Sequence, residues 1–305
     1  MNRRSAIRNL LAACAGSFFL RGASAQDYTI RSDVRLVLLD VSVTDARGNP
    51  VSGLSKDSFR VFEDGRPQTI TVFDHEDLPV TVGILVDDSG SMTPKRSQVL
   101  SAAELLIAES NPHDEVFIVH FNDSVTFGLP PKTLFSDDIK ELKKALVRGT
   151  PMGKTALNDA IVTGLERLEL GHRSRKTLVL ISDGGDNASE HSRAETLAMV
   201  EKSLATIYTV GLYDAEDPDR DPALLKKLVR ISGGQAFFPD SPQEMTPVCR
   251  RIAKDIRARY TVGYRPEEAN GKNALRHVRV SVSAPGRGHL TVRTRESYRY
   301  EEAQT

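Results

Sequence analysis

Cysteine is nearly absent from this 305-residue chain, which has only Cys14 and Cys249. Cys14 lies in a leader expected to be removed, so an intrachain disulfide is excluded from the rest. The residues around Cys249 read as a helix in which it is a small core residue. Net charge is missing too, with 41 basic residues balancing 41 acidic ones. The first 25 residues hold four arginines and no acid, which leaves 37 basic against 41 acidic residues beyond them. That balance argues against polyanion binding, and no nucleic-acid partner is expected. No apolar run is long enough to span a membrane, because Arg21 ends the stretch from Leu10 to Leu20 well short of the roughly 20 residues such a helix needs. There is no repeat of solenoid period, no long low-complexity tract and no phosphate loop of the G-x-x-x-x-G-K-[ST] type. The seven histidines, His75, His113, His120, His172, His191, His277 and His289, show no metal-ligand spacing. They read as surface or satisfied core residues.

The leader has a basic start, an apolar stretch and a small-residue box at Ala23-Ser24-Ala25, the three-part order of a secretory signal peptide. Cleavage is expected before Gln26, with export to the periplasm, envelope or extracellular space and no transmembrane segment left. Two alternatives stand beside this reading. Arg3-Arg4 fits a twin-arginine signal, and "LAAC" at 11–14 resembles a lipoprotein box, although it leaves only Leu10 to Ala13 as its apolar core.

After the leader, residues 26–78 alternate with period two, as in Val37, Leu39, Val41 and Val43. "FRVFE" and "QTITVF" then flank Asp64-Gly65, a strong hairpin signal. From 79 to 258 strands alternate with helices, which implies parallel crossovers and a doubly wound sheet. The strands fall at Val80 to Val86, Glu115 to Phe121, Lys176 to Ile181, Ala205 to Val210 and near Gln235 to Phe238, with an antiparallel edge at Ser124 to Gly128. The helices fall at Ser97 to Glu109, Asp137 to Val147, Thr155 to Leu170, Ala194 to Leu204, Pro222 to Ile231 and Pro242 to Ala258. Residues 259–305 return to alternation in "RYTVGY", "HVRVSVSA" and "HLTVRTRESY". Three strands at each end are near the lower limit for an independent sheet. The two ends are therefore expected to pack together as one β-sandwich, with the α/β unit inserted between them. From Arg250 onward basic residues outnumber acidic ones by 13 to 6. A solvated face explains most of this excess, and a polyanion contact is the weaker reading.

What the chain does have is a set of oxygen donors at one sheet edge. Ligands of open α/β sheets bind outside the carboxyl ends of the strands, where strand order reverses. "DDSGSM" at 87–92, "GTPMGKTALNDA" at 149–160 and "LISDGGDN" at 180–187 all belong to loops at that edge. Together they offer carboxylates and hydroxyls without imidazole or thiolate, a set that selects magnesium, manganese or calcium. Gly90 and Gly153 would let backbone approach an ion, and Gly184 and Gly185 would permit a turn with positive φ. Asp88 is expected to point away as a loop or capping residue, because neighbours on an extended segment face opposite ways. Asp159 could orient the "GKT" loop or be a solvated helix residue, and Asp186 and Asn187 read as turn formers.

These three motifs resemble the metal-ion-dependent adhesion site of von Willebrand factor type A domains. Asp87, Ser89 and Ser91 match the first motif, Thr155 the second and Asp183 the third. The resemblance spans about Pro79 to Ala258 and implies that the hydroxyls touch the ion, that an aspartate acts through water, and that an acidic side chain from a partner completes the coordination. The flanks, "VSVTDARGNPVSGLSKDSFRVFEDGRPQTITVF" and "RYTVGYRP", are similar to a family of exported bacterial proteins recorded mainly from acidobacteria. The expected function is a non-enzymatic, Mg2+-dependent module that binds a carboxylate on a protein partner, with Mn2+ or Ca2+ as other candidate ions. The alternatives are a magnesium-dependent hydrolase or phosphatase with Asp87 as nucleophile, which lacks an evident base or second acid, and a structural envelope protein with an idle metal site.

Overall fold

The computed structural model describes residues 36–213, 220–266 and 274–300. The arginine-rich leader and its expected cleavage site lie outside the described residues.

The first alternating stretch forms β1 (Val37–Thr44), which buries Leu39, Val41 and Val43. β2 (Phe59–Glu63) turns at Asp64-Gly65 into β3 (Arg66–Gln68), and both turn residues take positive φ, 47° and 80°, as a tight two-residue hairpin requires. The sequence reading ran a single strand from Gln68 to Phe73. Instead the chain breaks at Thr69, and β4 (Ile70–Asp74) joins a different sheet.

The α/β unit comprises β5 (Val80–Asp87), α1 (Arg96–Ala108), β6 (Glu115–Phe121), β7 (Val125–Phe127), α2 (Ile139–Leu146), α3 (Leu157–Glu169), β8 (Arg175–Ser182), α4 (Arg193–Lys202), β9 (Thr206–Gly211), α5 (Pro222–Ser232), β10 (Ala236–Phe237) and α6 (Met245–Arg257). Its six-stranded sheet runs β10-β9-β8-β5-β6-β7 and is parallel except for β7, which lies antiparallel on β6. Every residue of β5 is buried, as a near-continuous apolar run in a covered parallel sheet should be. From β5 the chain moves outward through β6 and β7, then returns to β8 on the other side of β5. The order therefore reverses beside β5, and the crevice opens at the carboxyl ends of β5 and β8.

Beyond α6 lie β11 (Tyr260–Tyr264), β12 (Ala274–Val282), β13 (Thr291–Arg293) and β14 (Ser297–Tyr300). Two four-stranded antiparallel sheets result, β13-β1-β11-β4 and β14-β12-β2-β3, and each mixes strands from both ends of the chain. "HLTVRTRESY" is likewise two strands and not one, with β13 on β1 and β14 on β12. Leu39, Val41, Val43, Phe59 and Val61 share a core with Tyr260, Val262, Val278, Val280 and Tyr298. Within it the buried Glu63 accepts from the Tyr264 and Tyr298 hydroxyls, each at 2.6 Å, and pairs with Arg276. Strands β2, β11, β12 and β14 thus meet on one carboxylate.

A polar junction joins the sandwich to the α/β unit. Asp255, near the end of α6, accepts from Ser42 Oγ of β1 at 2.5 Å, the Tyr208 hydroxyl of β9 at 2.6 Å and the Arg293 guanidinium of β13 at 2.9 Å. Arg259, between α6 and β11, donates to the Tyr208 hydroxyl at 3.0 Å and to the carbonyls of Asp40 (3.2 Å) and Gly233 (2.8 Å). Among the described residues no helix is long and apolar enough to cross a membrane.

Candidate metal centre

The last residue of β5 is Asp87, which is buried, and the chain turns immediately after it. Its Oδ1 accepts the Ser89 amide at 2.9 Å, an Asx turn that sets the direction of the loop. Its Oδ2 accepts the Ser182 hydroxyl at 2.6 Å from the end of β8. In the same loop the Ser89 and Ser91 hydroxyls lie 3.0 Å apart, and Ser91 donates to Asp183 Oδ2 at 2.5 Å. Two carboxylates and three hydroxyls therefore converge from the ends of β5 and β8.

Thr155 arrives on the second loop, which is strapped to both of the others. The Met152 amide donates to the Asp88 carbonyl at 2.8 Å, and the Gly90 amide to the Gly153 carbonyl at 3.2 Å. On the other side the Thr155 amide donates to Asn187 Oδ1 at 2.9 Å, while its carbonyl accepts the amides of Asn187 and Ala188. These bonds hold Thr155 out of α3, which begins at Leu157, two residues later than the sequence pattern indicates. Gly153 has a φ of 72°, and a Cβ there would lie 1.7 Å from Asp123 Oδ2. Gly184 has positive φ as expected, whereas Gly185 does not.

Asp88 does point away from this cluster, but it is not a cap. It is buried and accepts from Arg96 at the start of α1, and its Oδ2 lies 2.7 Å from His120 Nδ1. Arg96 also donates to the Gly149 carbonyl, and His120 Nε2 lies 2.9 Å from the Ala145 carbonyl. This network ties the first loop to β6 and to the chain after α2. Asp159 accepts the amides of Glu190 and His191 at 2.9 Å, and Asp186 accepts the Asn158 amide at 2.7 Å, so both fix the third loop against α3. Sequence reasoning missed Ser182. In the pairing of β5 with β8, Val86 lies opposite Ile181, which places Ser182 level with Asp87. The register is the signal that would have found it.

The donor set fits a hard divalent cation. Each serine hydroxyl can give its proton to a carboxylate while its lone pairs remain for a metal. Burial, and after it the charge of Asp183, pushes the Asp87 carboxyl up to about 6. Two buried carboxylates placed this close repel one another, a cost that a bound cation would relieve. Among the described residues no group of three or more His, Cys, Asp or Glu side chains gathers to hold a metal, so hydroxyls must complete any ligand set here.

The Asp88 network leads to a prediction. A Cβ on Gly149 would fall 1.7 Å from Asp88 Oδ2 and 2.4 Å from His120 Nδ1. Gly149→Ala should cost about 1–3 kcal/mol by overpacking. A urea titration checks it, and an unchanged midpoint would show that the loop gives way freely.

A doubly wound sheet with carboxylates and hydroxyls gathered at its switch point presents oxygen donors of the kind a hard divalent cation takes. Residues 82–185 match the family model of the von Willebrand factor type A domain. No curated protein matches the chain. Among solved structures, a von Willebrand factor type A protein from Catenulispora acidiphila is 13% identical with a TM-score of 0.53, covering 88% of this chain and 74% of its own. That share exceeds the α/β unit alone, so the likeness of fold extends into the flanking sheets. Proximal thread matrix protein 1 from the mussel byssus, in a structure with a zinc-occupied MIDAS motif, is 18% identical with a TM-score of 0.52, covering 65% of this chain and 50% of its own. This chain thus spans about half the length of the mussel protein. At these identities the likeness is one of fold.

Proposed function

We propose that the protein is an exported, metal-dependent binding module in which Asp87, Ser89, Ser91, Thr155 and Asp183 hold a divalent cation. Magnesium is the ion we favour, and a carboxylate of a protein partner completes its shell. The observation that carries this reading is the convergence of two buried carboxylates with serine hydroxyls on loops strapped together around the β5–β8 crevice. Few charges and several neutral oxygens suit a six-coordinate ion that keeps positions for water or an incoming ligand. The zinc-occupied MIDAS of the mussel protein supports the same site in a related fold.

Calorimetric titration with Mg2+ and Mn2+ tests the site. Asp183→Ala and Asp87→Ala should each weaken binding by more than about 100-fold, beyond the 10–100-fold typical of outer partners. Capture of a protein from envelope extract should require Mg2+, disappear with EDTA and fail for Asp183→Ala. Absence of binding heat in the unaltered protein would sink the proposal.

A further inference from the structure

At the opposite end of the sheet, where β8 and β9 begin, a cavity of about 60 Å³ lies between the α/β unit and the sandwich. Ser174, Arg175, Thr206 and Ser232 line it from one side, and Asp40, Thr261 and Arg295 from the other. Arg175 and Arg295 are each only 4% exposed. Arg175 donates to the Arg259 carbonyl at 2.8 Å and to the Thr261 hydroxyl at 2.9 Å, and its Nε lies 3.5 Å from Asp40. Arg295 donates to the Ser203 carbonyl at 2.5 Å. In both residues Nη1 is buried with no hydrogen-bond partner among the described residues.

A buried N–H without a partner is costly, and a buried charge without a counter-charge more so. Here guanidinium groups outnumber carboxylates. Arg175 and Arg295 face Asp40, and Arg259 and Arg293 share Asp255, so four cations meet two anions. Burial pushes the Arg295 guanidinium down to about 10, with the charge of Asp40 opposing the shift. The cavity has room for several water-sized oxygens, because one needs only about 10–15 Å³ on this measure. That is the size of a tetrahedral oxyanion.

We infer that this cavity is a binding site for a small tetrahedral oxyanion, phosphate or sulfate, held by Arg175 and Arg295 and bridging the α/β unit to the sandwich. Arginine suits the role because its planar fork makes two parallel bonds to such an anion. Thr206 and Thr261 also line the walls, and because their hydroxyls accept from Arg259 and Arg175 their own protons remain to donate. The anion would neutralise part of the basic excess of the C-terminal segment where that excess is buried.

The test is thermal unfolding of the full chain at constant ionic strength, with chloride replaced by phosphate, sulfate or acetate. Phosphate or sulfate should raise the melting temperature saturably, by about 3–6 °C at ten times its dissociation constant. Acetate should not. Ser174→Glu provides the control, because Ser174 is exposed at the cavity wall and its new carboxylate would compete for the arginines. This variant should melt at or above the unaltered protein in chloride, because its carboxylate supplies the missing counter-charge, and should lose the phosphate increment. If it fails to fold, Arg295→Lys should keep one positive charge but cut the increment severalfold. An unsaturable rise equal in the unaltered protein and the variant means a general salt effect and water in the cavity, and overturns the inference. A saturable response to acetate alone does so as well.

Discussion

Ending the chain after Pro266 should unfold one sheet of the sandwich while the α/β unit stays folded. The cut removes β12, which pairs with β2 from Phe59 to Glu63, and with it β13 and β14. Val278, Val280 and Tyr298 leave the sandwich core, and Glu63 loses Arg276 and the Tyr298 hydroxyl. At about 1.5–3 kcal/mol per buried side chain, the apolar loss alone is on the order of 5–9 kcal/mol, as large as the whole stability of many domains. The two halves of the N-terminal segment should respond differently. β1 loses core packing too, but it keeps β11 as its pairing partner from Val37 to Val41 and loses backbone pairing only at Ser42 to Thr44. Hydrogen exchange should therefore rise most at Phe59 to Glu63, less at Val37 to Val41, and little in β5 and β8. Continued protection of β2 in the truncated chain would mean that the hairpin stands without its C-terminal partner.

The strands of the α/β unit were legible because burial on both faces leaves a distinctive trace. Val80 to Val86 is apolar without alternation and stops at Asp87, so strand, end and loop can be read together. The sheet crossings at Thr69 and between β13 and β14 were not legible. Alternation continues through both points, and only the identity of the neighbouring strand changes, which is a tertiary fact. The same limit applies at the site. The five expected ligands arrive on three adjoining loops because strand order alone brings the loops to one edge. Ser182 escaped notice because its contact with Asp87 spans 95 residues and depends on register. His120 is the satisfied core residue expected, but its partner Asp88, 32 residues away, was not legible for the same reason. Asp88 points away from the cluster as its place on an extended segment indicates, but its partners, an arginine and a histidine that bury it, come from other elements and leave no trace in the local sequence.

Asp255→Ala should be among the most damaging single substitutions in the chain, costing about 3–5 kcal/mol, the usual penalty for removing one partner of a buried ion pair. Asp255 takes hydrogen bonds from β1, β9 and β13, and it sits one turn before Arg259, which is itself 2% exposed. Without the carboxylate, Arg259 and Arg293 remain at the junction with their charges poorly matched. The pH dependence gives the prediction a second readout. Burial alone would raise the Asp255 carboxyl, but the charges of Arg259 and Arg293, with the hydrogen bonds from Ser42 and Tyr208, outweigh burial and hold it below its ordinary value. The folded state therefore binds this proton less readily than the unfolded state, whose aspartates titrate near about 3.9. The stabilisation is fully present above that pH and is lost as pH falls through the depressed folded value. Urea midpoints of the unaltered protein and Asp255→Ala should lie far apart at pH 7 and draw together in acid. A gap that stays constant down to pH 3 would mean that the carboxylate charge contributes nothing, and that the junction is held by the shape of its hydrogen bonds alone.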